Sequence, residues 1–254
     1  MEEYPRQLKK GPLAETVFEI RFTSSLPDDA VFGIIYQSLL AKISTQNKVI
    51  NLPILQIPPE IRSRDPNFRY QQYYQIHNTG VYDLIIGVGP RAISFSNRSS
   101  DLVWEKYHDA ISSLLNEILK PSIFIQIERT GLRYINVLDE PLFKSANLQL
   151  TLGANQIGKD SVTNIMTEVL EPDSYKITLQ LKNNARISIQ GQKSKIASMI
   201  DIDVTHDSIY TFTAFKNTYD EILVHSHLLA KQEFFDLLDK EYIKTFDPIF
   251  DEDK

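Results

Sequence analysis

No cysteine occurs anywhere in the 254-residue sequence. This absence excludes disulfide frameworks, thiolate nucleophiles, iron–sulfur clusters and zinc sites with cysteine ligands. A catalytic nucleophile in this chain would therefore be an oxygen or an amine. A chain of this length can bury roughly three-quarters of the surface that its unfolded form exposes, so its stability does not require a crosslink.

Long apolar runs are also missing, since no stretch approaches the roughly 20 residues that a helix needs to span a bilayer. The N-terminal segment MEEYPRQLKKGPL begins with acidic residues and has no apolar stretch behind its lysines, so it does not resemble a secretion signal. With 42% hydrophobic and 24% charged residues, the composition is typical of a globular protein in water. We therefore expect a cytoplasmic protein without a membrane segment.

The sequence has no excess of positive charge, because its formal net charge is −6. Such a chain has no overall attraction for the phosphate backbone of a nucleic acid. The densest group of cations is Arg186, Lys193 and Lys195 in RISIQGQKSK, where they flank a predicted hairpin. Solvated loop charges explain this group better than a nucleic-acid site does, so nucleic acid is not the expected partner.

The first half, at about residues 14–120, is predicted to form a strand, a helix, three strands and a second helix. Phe18, Ile20 and Phe22 alternate with charged residues, which predicts a strand with one buried face. The period changes to about 3.6 in SLPDDAVFGIIYQSLLAKI, which predicts a helix with Ser25 as its N-cap. The three strands and the second helix are, in order, FRYQQYYQIHN, VYDLIIGVG, RAISFSN and DLVWEKYHDAISSLLNEILK.

The second half, at about residues 126–240, nearly repeats this order. A long strand, IFIQIERTGLRYINVL, precedes a weak helical stretch around Pro141 to Asn147. Thr218 and Glu221 form a capping box, which predicts the start of the longest helix of the chain. The four strands predicted between the two helices are, in order, TNIMTEVL, YKITLQLK, RISIQG and ASMIDIDV.

Two similar sequence segments support the prediction that the two halves are related. FEIRFTSSL begins at Phe18 and TGLRYINVL at Thr130, and their constant offset of 112 positions aligns Arg21 with Arg133. Identities are few, so chance similarity of two alternating strands is the alternative, but the agreement in element order favours two related halves. We therefore predict one α+β domain over residues 1–254. Its largely antiparallel, twisted sheet would carry helices on one face and leave the other partly open.

Several segments resemble a known family when they are taken together and in order. They are GPLAETVFEIRF, GVGPRAISFSN, WEKYHDAI, IERTGLRYINVL, IDIDV and KQEFFDLL. The chain resembles, over nearly its whole length, the sporadically distributed, uncharacterised prokaryotic protein family with a central GLRYIN motif. The resemblance implies a cytoplasmic bacterial or archaeal protein and supplies no catalytic residue. The residues that stand at the central motif are Gly131, Leu132, Arg133, Tyr134 and Asn136.

The strongest candidate for chemistry is IDIDVTH. Alternation places Asp201 and Asp203 about 7 Å apart on one face of a strand, while Ile200, Ile202 and Val204 face the core. Two such carboxylates could hold a divalent cation through oxygen ligands. A third acidic ligand is not evident in the sequence. The alternative, which we favour, is that they form the polar outer face of a half-buried strand.

Arg21 and Arg133 form the second candidate, since both lie opposite the apolar residues of their strands. If these two strands are neighbours, the guanidinium groups could grip a phosphate or carboxylate together. Alternatively, they could form ion pairs with Glu19 and with Asp201 or Asp203 across the sheet, which we favour.

Other candidates are weaker. His225 and His227 lie two residues apart in a predicted helix, so they point away from each other and cannot chelate one metal ion as an i, i+4 pair could. GVGPRA lacks the spacing and the lysine of a phosphate-binding loop. No serine lies in a nucleophile-elbow pattern.

Three functions follow from these observations. The favoured one is a non-enzymatic binding or adaptor protein that recognises a protein partner, encoded by a neighbouring gene, through the open sheet face or the C-terminal helix. The second is a metal-dependent enzyme that acts on a phosphate-bearing substrate at Asp201, Asp203 and the arginines. The third is a small-molecule sensor with a cavity under the strand of Tyr70, Tyr73 and Tyr74. No cofactor is predicted, and a homo-oligomer stays open as an alternative.

Overall fold

The computed structural model of the chain describes residues 4–77, 79–80, 84–121, 123–188 and 194–250. In these residues the chain forms six α-helices and fourteen strands. The helices are α1 (Asp28–Leu39), α2 (Pro59–Arg64), α3 (Trp104–Ile118), α4 (Leu142–Ser145), α5 (Phe212–Leu237) and α6 (Lys240–Lys244). None of the helices in the described part is long and apolar enough to cross a membrane.

The strands follow the chain in the numbering used below. They are β1 (Gln7–Leu8), β2 (Leu13–Ser24), β3 (Lys48–Asn51), β4 (Tyr74–His77), β5 (Ile85–Val88), β6 (Ala92–Asn97), β7 (Phe124–Leu138), β8 (Leu150–Leu152), β9 (Asn155–Ile157), β10 (Thr163–Leu170), β11 (Tyr175–Ile187), β12 (Lys195–His206), β13 (Tyr210–Thr211) and β14 (Pro248–Ile249). The short strands β1 and β14 form one two-stranded sheet, and β8 and β9 form another.

The other ten strands form one sheet in which every pair is antiparallel. Its order is β10-β11-β12-β7-β2-β6-β5-β4-β3, and β13 pairs with β7 beside this path. The predicted α+β fold with a largely antiparallel sheet is therefore confirmed.

Helices α1, α3 and α5 supply apolar side chains to the core that the sheet shares with them. Phe18, Ile20 and Phe22 of β2 are at most 2% exposed, and Leu132 of β7 is fully buried, as the alternation in the sequence predicts. The fully buried residues Val31, Ile35, Ile111, Leu114, Phe215 and Leu223 come from the three helices.

The middle of the sheet has the geometry of a two-fold axis. The offset of 112 makes Gly131 the counterpart of Glu19, and these two residues are Cα partners in the β2–β7 pair. Outward from this pair the strands run β2, β6, β5, β4 on one side and β7, β12, β11, β10 on the other. Two halves related by a local two-fold axis would produce this order. Their superposition stays a prediction.

The start of α5 differs from the prediction. The helix begins at Phe212, and the Thr211 hydroxyl accepts a hydrogen bond from the Ala214 amide at 3.3 Å. Thr218 lies inside the helix, where its hydroxyl donates to the Ala214 carbonyl at 3.0 Å. The predicted capping box is therefore wrong, because threonine can bond to the preceding helical turn as readily as it caps a new one.

The predicted strand RISIQG is wrong as a separate element over its described residues, and residues 189–191 lie outside them. Strand β11 continues through an irregularity after Lys182 and reaches Ile187, so that Arg186 still pairs with Ile196 of β12. Asn184 absorbs the irregularity with a φ of 50°, a conformation that asparagine tolerates better than most residues. Lys195 donates to Asp139 at 2.6 Å, and Lys193 lies outside the described residues.

The prolines of NLPILQIPPEIRSRDP predict an extended connection across a sheet edge, but segment 52–72 contains α2 and two short 3-10 helices. It packs on the side of the sheet opposite α1, α3 and α5. The Gln72 amide donates to Ser94 Oγ at 2.5 Å, and a Cβ at Gly87 would lie only 2.0 Å from Gln72 Oε1. Glycine at position 87 therefore allows this segment to cover β5 and β6.

Candidate functional site

Alternation brings charged side chains together on the side of the central strands that faces away from the helices. We call this set the polar sheet face. It comprises Glu19, Arg21, Arg129, Arg133, Asp201, Asp203 and Asp207. The face exists because the apolar residues that alternate with these positions in β2, β7 and β12 are buried under the helices.

The tightest contact of the polar sheet face joins Arg133 of β7 to Asp201 of β12. Arg133 Nε donates to Asp201 Oδ1 at 2.7 Å and Nη2 donates to Oδ2 at 2.5 Å, a bidentate geometry. The hydrogen bond to Asp201 raises the pKa of Arg133, and burial opposes it. The Asp201 side chain is only 5% exposed, whereas that of Arg133 is 45% exposed. Arg133 therefore presents a fixed cation to solvent.

Arg129 lies among three carboxylates with looser contacts. Its guanidinium nitrogens lie 3.3 Å from Asp207, 3.4 Å from Asp203 and 3.9 Å from Glu19. Burial raises the pKa of Asp203, although Arg129 and Arg133 both oppose that rise. The sequence reasoning missed Arg129. Its even spacing from Arg133 in IERTGLR was the signal that could have found it.

Arg21 lies at the border between the open sheet and the covering segment 52–72. Its Nε donates to Glu19 at 2.8 Å, and its guanidinium carbon lies 4.6 Å from the centre of the Tyr70 ring. Burial, together with the bond that the Tyr70 hydroxyl donates to Glu128 at 2.8 Å, raises the pKa of Tyr70. A polar cleft of about 420 Å³ opens here, lined by Glu19, Arg21, Leu52, Asn67, Tyr70, Gln71 and Gln72.

The structure separates the two predicted arginines. Arg21 is opposite Arg129 and Arg133 is opposite Val17, so about 13 Å of strand lies between the two positions. They do not form a joint grip on one small anion. Arg133 forms the cross-strand ion pair that the sequence favoured, whereas Arg21 pairs with Glu19 of its own strand.

Asp201 and Asp203 point to the same face of β12, and both contact an arginine. Across the described residues, no group of three or more histidine, aspartate or glutamate side chains is arranged to hold a metal ion. Both Asp201 oxygens already accept bonds from Arg133, so a cation would have to displace this guanidinium.

A second candidate site lies on the helix side of β7, and we call it the aromatic pocket. The His227 ring stacks on Trp104 with their centres 3.8 Å apart and an angle of 6°. His227 Nδ1 lies 2.8 Å from the Tyr134 hydroxyl. Burial lowers the pKa of His227 to about 3, so the ring is neutral and its Nδ1 can accept a hydrogen bond from the Tyr134 hydroxyl. The His227 side chain is partly buried here.

The aromatic pocket has a volume of about 140 Å³. Asn136, Phe234 and Phe235 contribute to its walls, together with residues of the N-terminal segment 5–13. Arg133 and Tyr134 are neighbours in GLRYIN and point to opposite sides of the sheet. One short motif therefore supplies both candidate sites.

The chain matches no protein-family model, and no curated protein is significantly similar to it. Its function has to be inferred from the geometry of the two sites. The polar sheet face is the larger of them, because it extends over neighbouring strands, whereas the aromatic pocket has a volume of about 140 Å³ and an N-terminal segment forms part of its wall.

Proposed function

We propose that the protein is a non-enzymatic binding protein that holds a protein partner on its polar sheet face. The bidentate Arg133–Asp201 pair carries the proposal, because it fixes a cation that is still 45% exposed. Charged groups held in advance lose little conformational freedom when a partner binds, which favours recognition.

The mixture of charges on the polar sheet face supports a protein partner. Acidic and basic side chains alternate across β2, β7 and β12, so the face offers no continuous positive surface to a phosphate backbone. Thr178 and Gln180 extend the same face onto β11, since they are the Cα partners of Asp203 and Asp201. A protein surface, with charges of both signs, is the complementary ligand.

The family resemblance enters as part of this proposal. The GLRYIN motif lies in β7, which pairs with both β2 and β12, and its Arg133 supplies the fixed cation. We propose that the chain is a cytoplasmic member of that prokaryotic family and that the partner is encoded by a neighbouring gene.

A small-molecule sensor is the second candidate, and the cleft beside Tyr70 is the observation that favours it. Its volume of about 420 Å³ falls in the usual range of ligand sites, roughly 300–1,000 Å³. The cleft lies under Tyr70, but not under the two following tyrosines that the sequence grouped with it. Tyr74 stacks on Phe32, and Tyr73 lies beneath Arg62. The metal-dependent enzyme has less support, because Asp201 is engaged by Arg133.

Photo-crosslinking in the native host tests which surface holds the partner. A crosslinking amino acid at Thr178 samples the polar sheet face, and one at Leu228, which is 54% exposed, samples the outer side of α5. We expect one protein to be captured from Thr178 and not from Leu228. The reverse result would assign binding to α5 and contradict the proposal.

A charge-swapped variant provides the matched control for fold. Arg133→Asp combined with Asp201→Arg keeps an ion pair between β7 and β12 but reverses the charges that the face presents. We expect this variant to keep a native circular dichroism spectrum and to lose the crosslink from Thr178. Capture that survives the swap would show that the partner does not recognise this pair.

A further inference from the structure

Strand β10 forms one end of the ten-stranded sheet, and its outer edge is unusually apolar. Among the described residues, only β11 pairs with it. Met166 and Leu170 are 66% and 82% exposed, and Val162, directly before the strand, is 76% exposed. A long apolar edge strand normally invites pairing with another chain.

Strand β10 lacks the sequence features that usually prevent an edge strand from pairing with another chain. Natural edge strands are often short or carry lysine or proline, whereas TNIMTEVL has eight residues and neither of these. Its one charged side chain, Glu168, lies 3.3 Å from Lys176 of β11 and so is turned toward its own sheet. The edge therefore offers a full strand of backbone donors and acceptors.

The spacing of the apolar residues is self-complementary. Val162, Met166 and Leu170 are four residues apart, so the alternation of the strand places all three on one side of the sheet. Met166 and Leu170 are the Cα partners of Gln180 and Lys176, so that side is the side of the polar sheet face.

We propose that two copies of the chain associate through antiparallel pairing of β10 with β10, with Met166 on the two-fold axis. A two-fold axis perpendicular to the sheet leaves the polar sheet face on the same side in both copies. Residues that lie opposite each other must therefore point to the same face of the sheet. In this register Met166 meets Met166 of the second copy. Val162 meets Leu170, and Asn164 meets Glu168.

Neighbouring registers are less favourable. An axis at Thr167 would place Met166 opposite Glu168 and Leu170 opposite Asn164, which separates the apolar side chains. An axis at Glu168 would place two carboxylates opposite each other, and like charges in that position are destabilising. Pairing centred on Met166 also forms roughly six to eight backbone hydrogen bonds and closes the edge, so it yields a dimer rather than a fibre.

Disulfide crosslinking tests both the dimer and its register on the purified chain alone. Because the chain has no cysteine, Met166→Cys introduces a single thiol. Directly opposed residues of an antiparallel pair have Cα atoms about 4.5–5.5 Å apart, within the range that a disulfide spans. We expect Met166→Cys to form a covalent dimer under mild oxidation.

Two further single-cysteine variants act as matched controls. Asn164→Cys and Glu168→Cys should each crosslink poorly alone and form a mixed disulfide when combined, because these residues lie opposite each other. Efficient crosslinking of either variant by itself, or none from Met166→Cys, would overturn the register.

Sedimentation equilibrium tests the association without a crosslink. We expect the wild-type chain to be dimeric and Met166→Lys to be monomeric, since the change places two cations on the axis. Leu228→Lys, at a similarly exposed position on α5, should stay dimeric. A wild-type chain that is monomeric over the whole concentration series, or Met166→Lys that stays dimeric, would overturn the proposal. Thermal melting identifies any variant that has not folded.

Discussion

The two halves have a similar order of strands, but the two ends of the sheet differ. On the side of the first half, the sheet ends in β3, a four-residue strand that begins with Lys48. On the side of the second half, it ends in the eight-residue β10, which exposes Met166 and Leu170. One end has the features that prevent edge pairing, and the other lacks them.

The open side of the sheet shows the same contrast. Segment 52–72 covers part of this side in the first half, where the Gln72 amide donates to Ser94 and Ser94 is only 4% exposed. The corresponding strands β11 and β12 lie in the second half, where Thr178 and Gln180 of β11 are partly exposed on this side. The two halves therefore differ in how the polar side of their strands is covered within the described residues.

Matched core substitutions test whether the two halves form one cooperative unit. Ile20 and Leu132 are counterparts under the 112-residue offset, and both are at most 2% exposed. Ile20→Ala and Leu132→Ala should each lower the free energy of unfolding by about 2–5 kcal/mol. Denaturant unfolding followed by circular dichroism measures this loss.

Both variants should unfold in a single transition, because β2 and β7 pair along most of their length. Ile34 of α1 is 38% exposed, so Ile34→Ala should change the free energy of unfolding by less than about 0.5 kcal/mol and serves as the control. Two separate transitions in either core variant would show that the halves are independent and would contradict the single domain.

The sequence alone predicts which side of a central strand is buried. The alternation of Phe18, Ile20 and Phe22 predicts the buried side of β2, and all three side chains are at most 2% exposed. Local patterns predict local elements well because side-chain alternation is a direct consequence of strand geometry.

The features that the sequence did not predict depend on contacts between residues that are distant in the chain. Nothing in RISIQG shows that Asn184 will absorb an irregularity and let β11 continue, since the partner strand decides it. The sequence also does not show that Gln72 will pack against Gly87, or that β10 will lie at an edge. For the site, Arg133 and Asp201 were found by alternation, whereas their bidentate pairing required the register of β7 against β12.

The junction between the helices of the two halves should be sensitive to acid. Trp104 comes from the first half, and Tyr134 and His227 come from the second. Burial lowers the pKa of His227 to about 3, so the unfolded state binds a proton that the folded state does not. This stabilisation is present above the unfolded pKa, roughly 6.5, and is lost as pH falls toward 3.

We expect the contribution of His227 to the free energy of unfolding to fall by about 2 kcal/mol when the pH is lowered from 7 to 5. His227→Gln should remove that part of the pH dependence, whereas Tyr134→Phe should keep it, because burial is the cause of the shift. Unfolding free energies at the two pH values measure the effect. An unchanged pH dependence in His227→Gln would mean that the ring is solvated.

The ion pairs of the two central strands should differ in strength. Asp201 is 5% exposed and bonds Arg133 through both oxygens, whereas Glu19 is 27% exposed and bonds Arg21 through one. Asp201→Asn should destabilise the protein by about 1 kcal/mol, because half-exposed Arg133 can partly recover its hydration. Glu19→Gln should cost less than about 0.5 kcal/mol. Equal losses would show that burial does not distinguish the two pairs.

The smallest expected effect is that of a divalent cation. If Asp201 and Asp203 serve only as ion-pair partners of arginines, manganese or magnesium should leave the melting temperature unchanged. A cation that bound only the folded state would instead stabilise it by about 2.7 kcal/mol at a hundredfold excess over its dissociation constant. Asp201→Asn combined with Asp203→Asn should abolish such a gain. A cation-dependent rise that disappears in this double variant would show that the open half is a metal centre, and it would favour the enzyme over the binding protein.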